Sequence, residues 1–496
     1  MSPRVRWGAA VVLVWLAACV PLAVTDILPL VDYPGHLARV HLLAGQVAGA
    51  DAFYQSSWAI LPNLALEIIA VPLTRFLSAP VALRLFCALI FLLIVWGGAL
   101  VNRAATGRAS VLSFLPALLV YNVIFAFGFL NFLFGLGLAL VALGRHIDGR
   151  EQPLARRIAR ESAFAVALFF SHIVALTVYL VAAAVHDAAR RPKSRALLRR
   201  DAGVLAAALV APVVLLLASP TRRESSLAAY QPLAAKLSKL YAIPQTGQGT
   251  WDTIFALATL AVLAGLLLLR FVRLDRALAL VALALAALFL VAPYRFATAE
   301  NVDTRLPLVV LAVLFAGFEL TASGARARLV AALLAALLGF RVATTAHHHA
   351  RSGRALAAVR ADLAAAIPAG SLLFTAREVT APSWLPRDWN PPLTHAGELL
   401  LLDRPIYAAT LFTHPTQQPL VRTAPFVGLD VPEPVGLLWQ PHLEAYGENL
   451  RHTLDTARRP EPAYVLFLKG PGRLVPGPLF DVLVNRPRYA ILHLRE

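Results

Sequence analysis

The chain has 496 residues, of which 59% are hydrophobic and only 15% are charged, and its mean hydropathy is +0.68. Soluble globular proteins have about 45–50% apolar and about 25% charged residues, so this composition excludes a disordered, fibrous or ordinary cytosolic protein. The formal net charge of +17 would suggest nucleic-acid binding in a soluble protein. In a membrane protein, however, Lys and Arg also set the orientation of the spans, and the composition indicates several spanning helices.

The predicted spans begin near the N-terminus and continue to residue 346. A helix needs about 20 mostly apolar residues to cross about 30 Å of hydrocarbon. Suitable apolar runs lie at residues 8–24, 84–101, 109–122, 128–144, 202–219, 251–269, 277–293, 306–322 and 329–346. The longer segment 161–188 lies between two basic blocks that should both face the cytoplasm. We therefore expect it to form two short helices that meet near Ser171 and His172, which makes about eleven spans in total.

Basic residues in short loops predict the orientation, because cytoplasmic loops carry an excess of Lys and Arg. Nearly half of the 45 Lys and Arg residues lie at the N-terminus and in the short segments 102–108, 145–160, 189–201, 270–276 and 323–328. The N-terminus is therefore predicted to be inside and the C-terminus outside. In a bacterium this corresponds to the inner (cytoplasmic) membrane, with the C-terminal domain in the periplasm.

Two parts of the chain are predicted to lie outside the spans. Residues 60–77 are apolar but interrupted by charges and prolines, which favours an interfacial helix on the outer leaflet. The C-terminal part has turn residues between short apolar runs at 371–375, 405–412, 463–468 and 489–494. The sequence thus predicts a transmembrane module at 1–346, with a first outside loop at 25–83, and a periplasmic α/β domain at 347–496.

The most suggestive polar residues follow the first span, in the stretch TDILPLVDYPGHLAR at residues 25–39. Asp32 is placed as the N-cap of a helix that has Pro34 in its first turn. His36 and Arg39 follow Asp32 at i+4 and i+7, on one face of that helix. A carboxylate, an imidazole and a guanidinium at the outer leaflet can serve as base, metal ligand and phosphate binder. Alternatively, Asp32 only caps the helix and Arg39 contacts lipid headgroups.

Three more residues in predicted outside positions are candidates for substrate binding. His172 lies at the predicted turn of segment 161–188, and Arg295 and Arg305 lie in the loop before the tenth predicted span. A guanidinium at the membrane border can hold a phosphate. The alternatives are a structural hydrogen bond for His172, and a headgroup contact or a salt bridge to Asp303 for Arg305.

With these features the chain resembles, over its whole length, polytopic glycosyltransferases of the GT-C fold. Those proteins have a first span, then an outside loop with an acidic motif, juxtamembrane helices, spans joined by short basic loops, and often an outside α/β domain. The sequence DYPGHLAR at residues 32–39 resembles the AspTyrPro-x-HisLeuAlaArg motif of bacterial members. Tyr33 stands where many relatives carry a second acidic residue, so binding of a divalent cation is an open question.

The resemblance implies transfer of a hexosyl or pentosyl group from a polyprenyl-phosphate donor to an outside hydroxyl, with inversion at the anomeric carbon. The acceptor would be an envelope glycan, lipid or protein, and membrane lipid would be a partner but nucleic acid would not. Asp32, or failing it Asp26, would be the base. The implied substrate-binding residues are His36, Arg39, His172, Arg295 and Arg305.

Two other classes of protein fit parts of the sequence. A transporter or lipid flippase of envelope glycolipids is the main alternative, although the sequence has no visible internal repeat. A scaffold whose outside domain binds a partner is the third. The sequence has no P-loop, no GxGxxG after a strand and no HExxH. A nucleotide-sugar donor used on the cytoplasmic side is therefore disfavoured.

Overall fold

A computed structural model describes residues 3–190, 194–224, 227–296, 299–378, 393–429, 435–438, 443–469, 474 and 476–495. The chain divides into two compact units. The first unit comprises residues 1–24, 59–68 and 84–348, and the second comprises residues 25–58, 69–83 and 349–496. The first outside loop therefore belongs mostly to the same unit as the C-terminal part of the chain. The predicted boundary at 346/347 stays a prediction.

Helices dominate the described residues. The α-helices are α1 (Pro3–Ala23), α2 (Tyr33–Leu43), α3 (Ala65–Leu73), α4 (Ala79–Thr106), α5 (Val123–Phe127), α6 (Leu130–Asp148), α7 (Leu154–Ser171), α8 (Ile173–Arg190), α9 (Arg195–Ala218), α10 (Leu233–Ala242), α11 (Thr250–Leu268), α12 (Arg276–Val291), α13 (Leu306–Ala316), α14 (Gly324–Ala366) and α15 (Leu443–Thr456). Short 3-10 helices lie at Ala50–Ala52, Val111–Leu119, Pro220–Arg223, Asp303–Arg305, Ala396–Leu402 and Ala424–Phe426.

Seven of the described helices are long and apolar enough to cross a membrane: α1, α4, α6, α8, α9, α11 and α14. The predicted class of a polytopic helical membrane protein is therefore confirmed. Shorter apolar helices lie at Val111–Phe127 and at α12. The total of about eleven spans and the orientation of the chain stay predictions.

The break predicted within 161–188 is confirmed, because α7 ends at Ser171 and α8 begins at Ile173. His172 between them has extended backbone angles, with φ −171° and ψ 126°, which interrupt the helical hydrogen bonding. The two helices fold back on each other, since Tyr179 on α8 donates a hydrogen bond to Glu161 on α7.

Two predicted spans differ from the structure. The run 109–122 is a 3-10 helix over Val111–Leu119, and Pro116 inside it lacks the N–H that an α-helix would use. The run 306–322 is helical only to Ala316. Beyond that residue the backbone is extended and pairs with another segment, and the amide of Asn102 donates to the carbonyl oxygens of Ala316 and Phe318 at 3.0 and 2.7 Å.

Helices α4 and α6 pack closely because glycines face each other's backbones. A Cβ atom added to Gly137 would lie 2.6 Å from Leu93 Cβ, and one added to Gly97 would lie 2.8 Å from Leu140 Cβ. In lipid, helices gain stability from such close van der Waals packing rather than from hydrophobic burial. Small residues at this interface therefore fix how the two spans pair.

Twelve strands occur among the described residues, and six of them form the sheet of the C-terminal part. The strands are β1 (Tyr54–Ser56), β2 (Ala228–Ala229), β3 (Val272–Leu274), β4 (Arg295–Phe296), β5 (Phe318–Leu320), β6 (Leu372–Glu378), β7 (Tyr407–Ala408), β8 (Leu420–Arg422), β9 (Val435–Leu438), β10 (Ala463–Leu468), β11 (Phe480–Asn485) and β12 (Tyr489–Leu494). The main sheet has six strands in the order β11-β12-β10-β6-β7, and β9 also pairs with β6.

The predicted α/β character of the C-terminal domain is confirmed by this sheet. Strands β6, β7, β9 and β10 run parallel, whereas β11 and β12 are antiparallel additions at one edge. Parallel strands are usually covered on both faces and read as continuous apolar runs. All six residues of β10 are buried, as this pattern requires.

Candidate active site

Helix α2 carries the acidic motif at its N-terminal end. Asp32 is the N-cap residue and Pro34 lies in the first turn, as predicted, but the Asp32 side chain makes no capping hydrogen bond. A capping hydrogen bond is the usual role of an aspartate at this position. Here Oδ1 of Asp32 lies instead 3.7 Å from Nε2 of His395, and the Asp32 side chain is 35% exposed. The carboxylate thus faces His395 and does not cap the helix.

His36 and Arg39 contact each other one turn further along α2. Nη2 of Arg39 lies 2.8 Å from Nδ1 of His36, and Arg39 is buried while His36 is half-buried. A guanidinium can only donate, so Nδ1 of His36 accepts and the ring hydrogen is on Nε2. The burial of Arg39 disfavours the alternative in which it contacts lipid headgroups. The functional roles of the two residues stay predictions.

His395 and Glu398 complete this cluster from the C-terminal part of the chain. Nδ1 of His395 lies 2.7 Å from Oε1 of Glu398, and Glu398 is fully buried in the 3-10 helix Ala396–Leu402. Desolvation opposes protonation of the His395 ring, but the carboxylates of Glu398 and Asp32 favour it more strongly. The pKa of His395 therefore rises to about 9.

Gly35 allows the buried carboxylate to approach α2. A Cβ atom added to Gly35 would lie 2.3 Å from Oε2 of Glu398, well inside van der Waals contact. The glycine in the motif is therefore explained by packing against Glu398. This contact ties the start of α2 to the segment that carries His395.

Asp26, the second candidate for the base, lies earlier in the segment between α1 and α2. Its residue surface is exposed, whereas Asp32 is half-buried beside His395. A base needs a defined position to remove a proton efficiently. Asp32 thus differs from Asp26 in its contact with His395, and the choice of base between them stays a prediction.

In the first unit, Arg305 and His172 both lie near the ring of Phe132. The Arg305 guanidinium donates to the carbonyl oxygens of Glu300 and Asn301, both at 2.9 Å. It lies 5.9 Å from the centre of the Phe132 ring, and the His172 ring meets the same phenyl ring at a centroid distance of 5.3 Å. The structure thus brings these two predicted residues into one cluster.

The alternatives for Arg305 do not describe its surroundings. Arg305 is only 8% exposed, which does not fit a headgroup contact at the surface. Asp303 pairs with Lys239 at 2.6 Å rather than with Arg305. The Arg305 guanidinium lies over the ring of Phe129, 4.4 Å from the ring centre. This cation–π contact attracts the guanidinium to the ring.

Arg295 differs from the other candidates because it is exposed. It lies on the short strand β4 and forms an ion pair with Glu300. An exposed ion pair of this kind adds little stability. The exposed Arg295 is therefore less well positioned than the buried Arg305. Substrate binding by Arg295 stays a prediction.

No group of three or more His, Cys, Asp or Glu side chains suited to a metal ion occurs among the described residues. Tyr33, at the position of the second acidic residue, is buried and supplies no carboxylate. The described residues therefore do not fit a bound divalent cation, and we derive no step through one.

Sequence reasoning does not identify His395 and Glu398 as site residues. His395 stands in a polar stretch that reads as a turn between strands, and only its spacing from Glu398, one helical turn, hints at a pair. Nothing local links this stretch to Asp32. Their proximity depends on the tertiary fold.

Comparison with solved structures identifies the fold. The chain is similar to ArnT from Cupriavidus metallidurans in the apo state, with 14% identity, a TM-score of 0.56, and coverage of 99% of this chain and 98% of ArnT. The ArnT structure bound to undecaprenyl phosphate gives 14% identity, a TM-score of 0.52, and coverage of 99% and 97%. No protein-family model and no curated protein matches the sequence. The chain is a multi-pass membrane protein with an ArnT-like GT-C fold.

Proposed function

We propose that the protein is an integral-membrane glycosyltransferase that moves a sugar from a polyprenyl-phosphate donor to a hydroxyl group outside the cytoplasm. The observation that carries the proposal is the full-length likeness to ArnT, since one of the two ArnT structures holds undecaprenyl phosphate. A shared fold is an analogy and does not determine chemistry. The residues of the acidic motif must therefore supply it.

The proposed reaction is a single displacement at the anomeric carbon. Asp32 takes the proton of the acceptor hydroxyl while the oxygen of that hydroxyl attacks the anomeric carbon. The bond from the anomeric carbon to the phosphate oxygen breaks, and its electron pair leaves with the polyprenyl phosphate. The configuration inverts, and no covalent enzyme intermediate forms. Asp32 suits this role because its carboxylate does not cap α2 and is partly exposed.

Cations must stabilise the negative charge that develops on the departing phosphate. In the second unit the candidate cation is Arg39, which is buried. His36, which Arg39 contacts, is a neutral imidazole that can donate its Nε2–H to the phosphate. In the first unit Arg305 is a buried guanidinium of fixed orientation beside His172, and Arg295 is exposed. Each is proposed to bind substrate.

The layout of a lipid-linked donor agrees with this assignment. A polyprenyl chain lies in the hydrocarbon, so its phosphate and sugar lie at the membrane surface. In the proposed orientation α2 follows the first span on the periplasmic side of the inner membrane. The acceptor is then a hydroxyl of an envelope glycan, lipid or protein, and the transferred group is a hexose or a pentose.

The experiment that tests the function is Asp32→Asn, a nearly isosteric change that removes the base. We expect a deletion strain to lack one sugar in its envelope glycans or glycolipids, as measured by mass spectrometry. Wild-type protein should restore that sugar and Asp32→Asn should reduce it by at least about 100-fold.

Asp51→Asn is the matched control, because Asp51 is an exposed aspartate in the same outside segment. Comparable amounts of folded protein must be present in the membrane for each variant. Full sugar transfer by the double variant Asp26→Asn, Asp32→Asn would disprove the proposal. Uptake of a glycolipid into liposomes by the pure protein, without a covalent product, would instead identify a transporter or flippase.

A further inference from the structure

We propose that His395 and Glu398 form a positioning pair that holds the carboxylate of Asp32 in place and in its ionised form. This role rests on the proposed function, in which Asp32 is the base. The pair itself is a feature of the second unit and can be tested without a sugar substrate.

The two nitrogens of the His395 ring face different carboxylates. Nδ1 is 2.7 Å from Oε1 of Glu398, a hydrogen-bond distance, and Nε2 is 3.7 Å from Oδ1 of Asp32. Glu398 is fully buried, so its carboxylate needs a charged partner to offset the loss of water. A buried carboxylate that orients an imidazole toward a reacting group is a recurrent arrangement in enzymes.

Glu398 is bound to His395 through Oε1, and its Oε2 lies beside Gly35. Its Oε2 lies so close to Gly35 that a Cβ atom there would be 2.3 Å away. The short stretch from Asp32 to Gly35 thus places a carboxylate beside Nε2 of His395 and also borders the carboxylate of Glu398 that contacts Nδ1.

The charges of Glu398, His395 and Asp32 explain why the Asp32 carboxylate is ionised and can accept a proton. Among the described residues, the charged groups that face His395 are Glu398, on the 3-10 helix that His395 precedes, and Asp32 at the start of α2. With its pKa near 9, His395 is an imidazolium at neutral pH and cannot itself remove a proton. An opposite charge within about 4–6 Å favours the ionised form of a carboxyl group. His395 keeps its own proton throughout the transfer.

The first test measures the pair directly in the full-length protein in lipid bilayers. Nitrogen NMR of protein labelled with ¹⁵N only in histidine follows each imidazole through a pH titration, and His395→Gln identifies the resonance. We expect that ring to stay protonated well above pH 7 and to titrate near pH 9. Glu398→Gln should lower this midpoint by more than about one pH unit, and Asp32→Asn should lower it less.

His452→Gln is the control, because His452 is exposed on α15 and should leave the His395 resonance unchanged. A midpoint near the ordinary value of about 6.5 would overturn the pair. So would a midpoint that Glu398→Gln leaves unchanged. Neither result depends on whether the protein transfers a sugar.

The second test measures product formation against pH in membrane vesicles from the complemented deletion strain, with the endogenous lipid-linked sugars as the probe. His395→Gln removes the positive charge beside Asp32, so the acidic limb of the profile should move up by about one pH unit. Glu398→Gln should cause a similar change and add little in the double variant, because it acts through His395. His395→Lys, which restores a positive charge, should recover part of the activity at pH 7.

The two proposals fail in different ways. Normal transfer by Asp32→Asn would disprove the function while leaving the NMR result intact. Transfer that depends on Asp32 but keeps the wild-type pH profile in both His395→Gln and Glu398→Gln would disprove the positioning role alone.

Discussion

At the scale of single residues, Gly35 shows how the motif is fitted to a distant part of the chain. In Gly35→Ala the new methyl group would overlap Oε2 of Glu398, so this carboxylate must move away from its position beside His395. Overpacking a buried site of this kind costs about 1–3 kcal/mol. We expect a lower unfolding temperature for the purified full-length chain, measured by its intrinsic fluorescence in detergent.

Shortening the opposing side chain provides the complementary variant. Glu398→Asp removes one methylene group, so adding it to Gly35→Ala should recover part of the lost stability. Gly203→Ala is the control, because a Cβ atom at Gly203 on α9 would meet no atom within 4 Å and alanine favours a helix. If Gly35→Ala melts like the wild type, the close contact between Gly35 and Glu398 does not exist in solution.

The sequence could predict the face of α2 but not its partner. Helical spacing placed His36 and Arg39 after Asp32 on one face, and the contact of Nη2 of Arg39 with Nδ1 of His36 confirms that His36 and Arg39 are neighbours there. Spacing could not predict that Asp32 leaves its capping position unused, because a competing partner, His395, is supplied by a remote segment. Contacts between distant segments depend on tertiary packing, which leaves no periodic signal in one sequence.

At the scale of elements, apolar runs located the spans better than they located the ends of the spans. Residues 306–318 carry no charged or polar side chain, yet α13 ends at Ala316, and the residues after it pair as β5 with β3. Asn102 on another helix binds the carbonyl groups freed at that end. The break at His172 was predictable because the basic residues on both sides of it constrain the topology, whereas the end of α13 has no comparable signal.

The pairing of β3 with β5 brings Glu319 into contact with Arg273, and Arg108 contacts the same carboxylate. Arg273 and Glu319 are directly opposite each other in this pair, with Nε of Arg273 2.6 Å from Oε2 of Glu319, and Arg108 reaches Oε1 at 2.9 Å. The hydrogen bond from Arg273 is the main reason that the pKa of Glu319 is lowered. Both arginines are largely exposed, so the gain in stability is small. Glu319→Gln should lower the unfolding temperature by about 2 °C at pH 7.

The pH dependence of this difference follows from the lowered pKa of Glu319. A carboxyl group whose pKa is lower in the folded state stabilises it above the unfolded pKa, about 4.3, and loses this effect as the pH falls through the folded pKa. Unfolding scans of wild type and Glu319→Gln should therefore converge below about pH 4. Glu448→Gln, on the exposed face of α15, should show no such difference at any pH. A gap that stays constant down to pH 3 would mean that the ion pairs are not its cause.

At the scale of the whole molecule, the basic residues have two kinds of role. Some of those assigned to cytoplasmic loops are also paired within the fold, as Arg150 is with Asp187 and Arg157 is with Asp201 at 2.7 Å. Arg157 and Asp201 are both buried, so neither charge is available to a ligand at the surface. The excess of Lys and Arg influences orientation during insertion whether or not such pairs form later. The positive charge of the chain is therefore best explained by topology and packing.

This explanation predicts which side of the membrane each exposed position faces. Ser323, between β5 and α14, should be cytoplasmic, and Thr456, at the end of α15, should be periplasmic; both residues are exposed. In a cysteine-free background made with Cys19→Ala and Cys87→Ala, a membrane-impermeant maleimide should label Thr456→Cys in cells whose outer membrane has been removed. Ser323→Cys should react only after the inner membrane is broken, because the basic residues that follow it hold that loop inside. If Ser323→Cys is labelled while the inner membrane is intact, the predicted orientation is wrong. Asp32 and α2 would then lie on the side where no polyprenyl-linked sugar is presented to an envelope acceptor.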